Sequence, residues 1–256
     1  MLTNFELEQI LDEKLNSKMI ADYAPNGLQV EGKRQIRKII TGVTATLPLI
    51  EQAIAKQADA VLVHHGYFWK SENPCIRGMK GKRIKQLLAN DINLFAYHLP
   101  LDIHTELGNN AQLAKQIGAI NLQGLEDKVH SIPAVAEFEQ PISATELAER
   151  LERALKRKPT VCHEFTAEFP QKRIKKVGIC SGGGQGYIDL AYQKGCDAFI
   201  SGEISEQTTH SAREQGIYYF ACGHHATERD GVKALGEWLA EHYQLDVEFI
   251  DIDNPA

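Results

Sequence analysis

Six side chains able to hold a metal ion stand at the ends of apolar runs in this chain. His64 and His65 close VLVHH. His98 closes INLFAYH, and Asp102 follows four residues later in HLPLD. His224 follows IYYFACG, and Glu228 comes four residues later in HHATE. Ligands of parallel α/β sheets gather at the carboxyl ends of the strands, so three such endings point to one chemistry. Imidazole suits Zn, Fe, Ni or Cu, and carboxylate favours harder ions such as Mn and Mg. One tetrahedral zinc takes four donors and leaves two unused. Two ions about 3.5–4 Å apart, bridged by Asp102 or Glu228 or by water, use all six. His225, beside His224, is an alternative ligand.

Each signal is weak alone. Neighbours on a regular strand face opposite ways, so His64 and His65 act together only if the strand ends there and Gly66 turns the chain. Otherwise one is a core histidine and the other a loop histidine. His98 and Asp102 need a turn around Pro100. His224 and Glu228 share a face if their stretch is helical, and a loop fits the sequence equally well.

Other residues hint at what such a centre acts on. Glu203, in SGE, follows a predicted strand and is a candidate base or outer acceptor, or a plain surface carboxylate. His210 reads as a surface residue. SGGGQG, Ser181 to Gly186, lies between a strand and a helix and can aim backbone N–H groups at an anion. It lacks the Gly-Lys-Ser/Thr of a P-loop, and a tight turn explains it as well. Tyr67, Phe68 and Trp69 follow the histidine pair and can stack on a base or pack between lobes.

The elements that must position these residues alternate between strands and helices, which predicts an α/β fold. Strands are expected over 36–43, 60–64, 92–97, 175–180, 198–201, 217–222 and 247–252. Helices are expected over 47–57, 81–90, 143–156, 187–194, 205–215 and 231–242, with another after Gly108. Thr3 with Glu6, and Ser143 with Glu146, have capping-box spacing. AIAKQADA from Ala53 aligns without a gap to AYQKGCDA from Ala191, matching Ala53, Lys56, Asp59 and Ala60 to Ala191, Lys194, Asp197 and Ala198. The chain therefore reads as two related α/β/α lobes from an internal duplication. They cover 1–127 and 128–256, the C-terminal part packs back on the first lobe, and the metal site lies at the lobe interface.

Composition sets the class. Hydrophobic residues make up 43% of the 256 residues and charged residues 24%, as in a globular protein. No apolar run is long enough to span a bilayer, and the acidic, amphipathic N-terminus does not read as a signal peptide. A formal net charge of −6 argues against a nucleic-acid-wrapping role. The five cysteines form no C-x-x-C pair and read as reduced thiols of a cytoplasmic protein.

Taken together, PNGLQVEG (Pro25 to Gly32), ITGV (Ile40 to Val43), VHHG, HLPLD, SGGG, SGE and GHHATE (Gly223 to Glu228) resemble the Nif-three-like dinuclear-metal family, also called GTP cyclohydrolase 1 type 2 homologues, in its short bacterial form. The resemblance spans the whole chain. It implies metal ligands at His64, His65, His98, Asp102, His224 and Glu228, in agreement with the spacing. It also implies a toroidal homohexamer, and its label implies GTP as substrate. The expected function is a metal-dependent hydrolase, cyclohydrolase-like or phosphoesterase, holding two divalent ions (Zn, Fe or Mn) and acting on a purine nucleotide. Glu203 or His225 would move protons. The alternative is a metal-binding or metal-delivery protein without its own catalysis.

Overall fold

The computed structural model describes residues 2–163 and 172–256. The chain divides into two compact units, Met1–Leu101 with Gly231–Asp253, and Asp102–Asp230 with Asn254–Ala256.

The first unit begins with β1 (Leu2–Thr3) and α1 (Asn4–Leu15). Thr3 and Glu6 form the expected capping box, with Glu6 Oε2 accepting from Thr3 N at 2.8 Å. Leu7, Leu11 and Leu15 form the buried stripe of α1. The short β3 (Gln35–Ile36) pairs antiparallel with β1. The main sheet has five strands, in the order β13 (Asp246–Phe249), β4 (Lys38–Thr44), β5 (Ala60–His65), β6 (Asn93–Ala96) and β2 (Gly27–Val30). The first four are parallel, and β2 lies antiparallel on the edge. Ala60 to His64 are all buried, as a parallel strand covered on both faces requires. Helices α2 (Leu47–Ala55) and α3 (Gly78–Ala89) connect these strands.

The second unit carries a six-stranded sheet. Its order is β7 (Ile120–Gly124), β8 (Ala134–Ile142), β10 (Ile174–Cys180), β11 (Ala198–Ser201), β12 (Tyr218–Ala221) and β9 (Thr160–Cys162). Strands β10, β11 and β12 are parallel, and the other pairings are antiparallel. Its helices are α5 (Asn109–Ile117), α6 (Ala144–Leu155), α7 (Ile188–Gln193), α8 (Glu206–Gln215) and the single turn α9 (His224–Thr227). Ser143 caps α6 by accepting from Glu146 N. The single turn α4 (Leu99–Asp102) and α10 (Arg229–Tyr243) carry the chain across the division.

The boundary expected near 127 lies inside the second unit, because β7 pairs with β8 and takes residues 102–127 with it. Gly231–Asp253 belongs to the first unit because β13 pairs with β4.

Each unit contains a run of three parallel strands followed by an antiparallel edge strand that precedes them in the chain, β4-β5-β6-β2 and β10-β11-β12-β9, and in the first unit β13 adds a fourth parallel strand. The aligned aspartates do the same work in both. Asp59 Oδ2 accepts from Arg37 N and Lys38 N at 2.7 and 2.9 Å. Asp197 Oδ2 accepts from Lys175 N and Lys176 N, both at 3.0 Å. Each pins the start of one strand to the turn before the next.

Candidate metal centre

The first group of donors sits in the first unit. The nitrogens of His64, His65 and His98 lie within 4.8 Å of one another. The end of β5 releases the strand alternation, so the adjacent His64 and His65 rings lie 4.5 Å apart and tilted by 38°. Gly66 makes this exit possible. A Cβ there would lie 2.2 Å from Gln29 Oε1 and 2.6 Å from Ala96 Cβ.

Each ring is oriented through Nδ1. His64 is 0% exposed, and its Nδ1 donates to the Tyr97 carbonyl at 3.0 Å. His65 Nδ1 meets Thr44 Oγ1 at 3.2 Å. His98 Nδ1 donates to Asp22 Oδ1 at 2.9 Å. A proton on Nδ1 makes Nε2 the lone-pair nitrogen, and such outer partners are how proteins aim imidazole at a metal. Burial alone pushes the Asp22 carboxyl up. The hydrogen bond and charge of His98, with donors from Asn26 and Leu99, outweigh it and hold Asp22 at about 2.

The second group sits in the second unit. Asp102 ends α4, and His224 opens α9 with Glu228 as its C-cap. The choice left open for His224 to Glu228 is thus a helical turn. Asp102 and Glu228 are 6% and 3% exposed, and their carboxylate oxygens approach within 4.8 Å. Two buried carboxylates this close repel unless a cation lies with them, so the donor set fits a divalent ion. Asp102 Oδ1 accepts from Asn109 Nδ2 at 2.8 Å and Ser181 Oγ at 3.1 Å.

His224 Nε2 is 3.2 Å from Glu228 Oε2, and its Nδ1 is 2.7 Å from Glu203 Oε1. The Glu228 hydrogen bond raises the His224 pKa, burial opposes it, and the charge of Glu228 with the Glu203 contact completes the rise to about 9. Burial, and then the charges of Asp102 and Glu228, push the Cys180 thiol well above its ordinary range.

Glu203 is thus the outer partner of His224, and its Oε2 accepts from Gln185 Nε2 at 3.2 Å. His225 is buried and joins no group of three metal-donor side chains among the described residues. His210 lies exposed on α8. In the glycine loop, Ser181 N donates to Asn110 Oδ1 and Gly182 N to Thr227 Oγ1. Those two amides serve the unit's own packing. Asp22, Thr44 and the Tyr97 carbonyl were not legible as site residues. The one signal for Asp22 is that it lies just before the PNGLQVEG segment.

Comparisons with known proteins place the chain in a family. The GTP cyclohydrolase 1 type 2 homologue of Haemophilus influenzae is 65% identical over 255 residues, covering 100% of both chains. The protein of that name from Escherichia coli K12 is 56% identical over the same span. Among solved structures, protein ybgI, described as of unknown function, superposes with a TM-score of 0.93 at 56% identity, covering both chains fully. TTHA1606 from Thermus thermophilus gives 0.88 at 32% identity, also over both whole chains. The profile of the Duf34/NIF3 family (NGG1p interacting factor 3) matches residues 3–255, and the chain belongs to that family.

Proposed function

We propose that the two donor groups hold one centre of two divalent metal ions (Zn, Fe or Mn) between them, and that the protein is a metal-dependent hydrolase acting on a purine nucleotide such as GTP. The observation that carries this is the orientation of the four histidines, each held at Nδ1 by an outer partner. Neither group alone saturates two ions. The chain supports their union, because Asp102, the last residue of α4, follows His98 by only four positions. The repeated strand order and the matched Asp59 and Asp197 support an internal duplication.

When bound, divalent ions supply Lewis-acid polarisation of water and of a substrate oxygen at neutral pH. The residues supply the rest. His64, His65 and His98 would supply nitrogen donors to the centre, and Asp102 and Glu228 would balance its charge. Asp102 or Glu228 would be the bridging carboxylate. Glu203, half exposed and bonded to His224, is better placed than His225 to accept a proton. Cyclohydrolase chemistry would add one water at C8 of the purine to open the imidazole ring to a formamide, and a second water to cleave that amide and release formate. Phosphoester chemistry would release phosphate. The name of the relatives favours the first. By family resemblance we read the assembly as a toroidal homohexamer, and from the free cysteines as cytoplasmic.

The test is elemental analysis of wild type and of a His65→Ala, Glu228→Ala double variant, with circular dichroism to confirm folding. About two ions per wild-type chain are expected, and few in the variant. An absence of metal after reconstitution with Zn, Mn or Fe would sink the dinuclear reading. Given metal, formate or phosphate release from GTP decides the reaction. Transfer of metal to an apo-protein without turnover would favour delivery.

A further inference from the structure

Of the three aromatic residues after the histidine pair, one reaches the imidazoles. Tyr67 is buried, and its hydroxyl donates to the Ala45 carbonyl at 2.7 Å. Phe68 packs on the core of the first unit, with the Lys80 ammonium 5.1 Å above its ring. Trp69 stands edge-on to His98 at 4.9 Å and lies 5.8 Å from His65. A second aromatic that no motif marked, Tyr23, is 4.9 Å from His98 and 5.6 Å from Trp69, tilted by 37°. Tyr23 is 51% exposed, and Trp69 is partly exposed.

This pair is held in place from several directions. Phe68 adopts φ +66, a conformation that non-glycine residues keep only where surrounding bonds enforce it. Glu72 Oε2 enforces it by accepting from Phe68 N at 2.6 Å and Trp69 N at 3.3 Å. Trp69 Nε1 donates to the Gly66 carbonyl at 3.3 Å. Asp22 Oδ1, which orients His98, also accepts from Tyr23 N at 2.7 Å. Lys70 N donates to the Tyr23 carbonyl at 2.9 Å and ties the two segments together. The same carboxylate thus sets both a metal-ligand candidate and an exposed ring.

We propose that Tyr23 and Trp69 form a platform on which a flat heteroaromatic base stacks, with the base and not the phosphates set against the imidazole group. Every base has a π-face, and aromatic side chains bind it on that ground. The glycine loop offers a poorer phosphate cradle than its sequence suggests, since its first two amides are already engaged. The inference rests on the hydrolase reading and selects within it, favouring chemistry on the base ring over phosphoester cleavage.

The protein's two tryptophans, Trp69 and Trp238, make this testable by fluorescence. In the full-length Zn-reconstituted Trp238→Phe protein, Trp69 is the sole reporter. Guanosine and GTP should quench it saturably and with similar half-saturation, and inorganic tripolyphosphate should not. Tyr23→Ala should weaken guanosine about tenfold, and Tyr23→Phe should bind as the parent does. Quenching by GTP and tripolyphosphate with guanosine silent, or no quenching by any of the three, would overturn the platform. Metal content of the same samples is read separately. Its absence would count against the dinuclear reading, while guanosine quenching still decides the platform.

Discussion

Gly182 shows how much of the centre depends on one missing side chain. It sits at φ +62, where a Cβ would stand 2.1 Å from Glu228 Oε1 and 3.0 Å from His224 Nε2. Two donors occupy the space that any other residue would fill. Gly182→Ala should keep its secondary structure by circular dichroism and lose metal affinity about tenfold or more, read by titration with Zn, because it displaces two proposed ligands. The six candidate donors stood out at this scale because they lie at or just after the ends of apolar runs and two pairs repeat a four-residue spacing. Apart from Glu203, their outer partners did not. Asp22 meets His98 across 76 positions of chain, and such a contact leaves no periodic trace in the sequence.

Among the elements, the matched turns at Asp59 and Asp197 are the most exacting. Each carboxylate oxygen accepts two backbone N–H groups at the start of a central strand. Asp59 also meets Lys33 Nζ at 2.9 Å. Burial pushes the Asp59 carboxyl up, but the N–H of Lys38 and the Lys33 contact outweigh it and hold it below the ordinary range. Asp59→Ala and Asp197→Ala should each cost about 1–3 kcal/mol in urea unfolding, since both strand starts lose their acceptor. A negligible cost at either position would remove the equivalence drawn between the two turns. The buried parallel strands were legible because continuous apolar runs are how they read. Strands β2, β7, β8 and β9 were not. Three of them lie on sheet edges, β9 has only three residues, and β8 carries Pro141. Their identity comes from pairing with distant strands and not from local propensity.

For the molecule as a whole, the proposed metal should be coupled to stability through His224. Its contacts with Glu228 and Glu203 raise its pKa from 6.5 to about 9. The stability this contributes is fully present below 6.5 and is lost as pH rises through 9. A metal needs the neutral ring, so bound metal gains relative to protons over the same window. The rise in melting temperature on adding Zn should therefore grow from pH 6.5 to 9, and His224→Gln should flatten the trend. A Zn effect independent of pH would separate His224 from the metal. No helix among the described residues is long and apolar enough to cross a membrane. By itself the sequence determined the α/β class and pointed to the candidate donor residues, because residue type, burial pattern and short spacing are local properties. The tertiary structure alone decided which nitrogen each histidine presents, that Asp102 and Glu228 lie side by side, and that the chain divides at Leu101 and Asp102. Those depend on strand pairing and on hydrogen bonds between residues far apart in the chain, which no local pattern encodes.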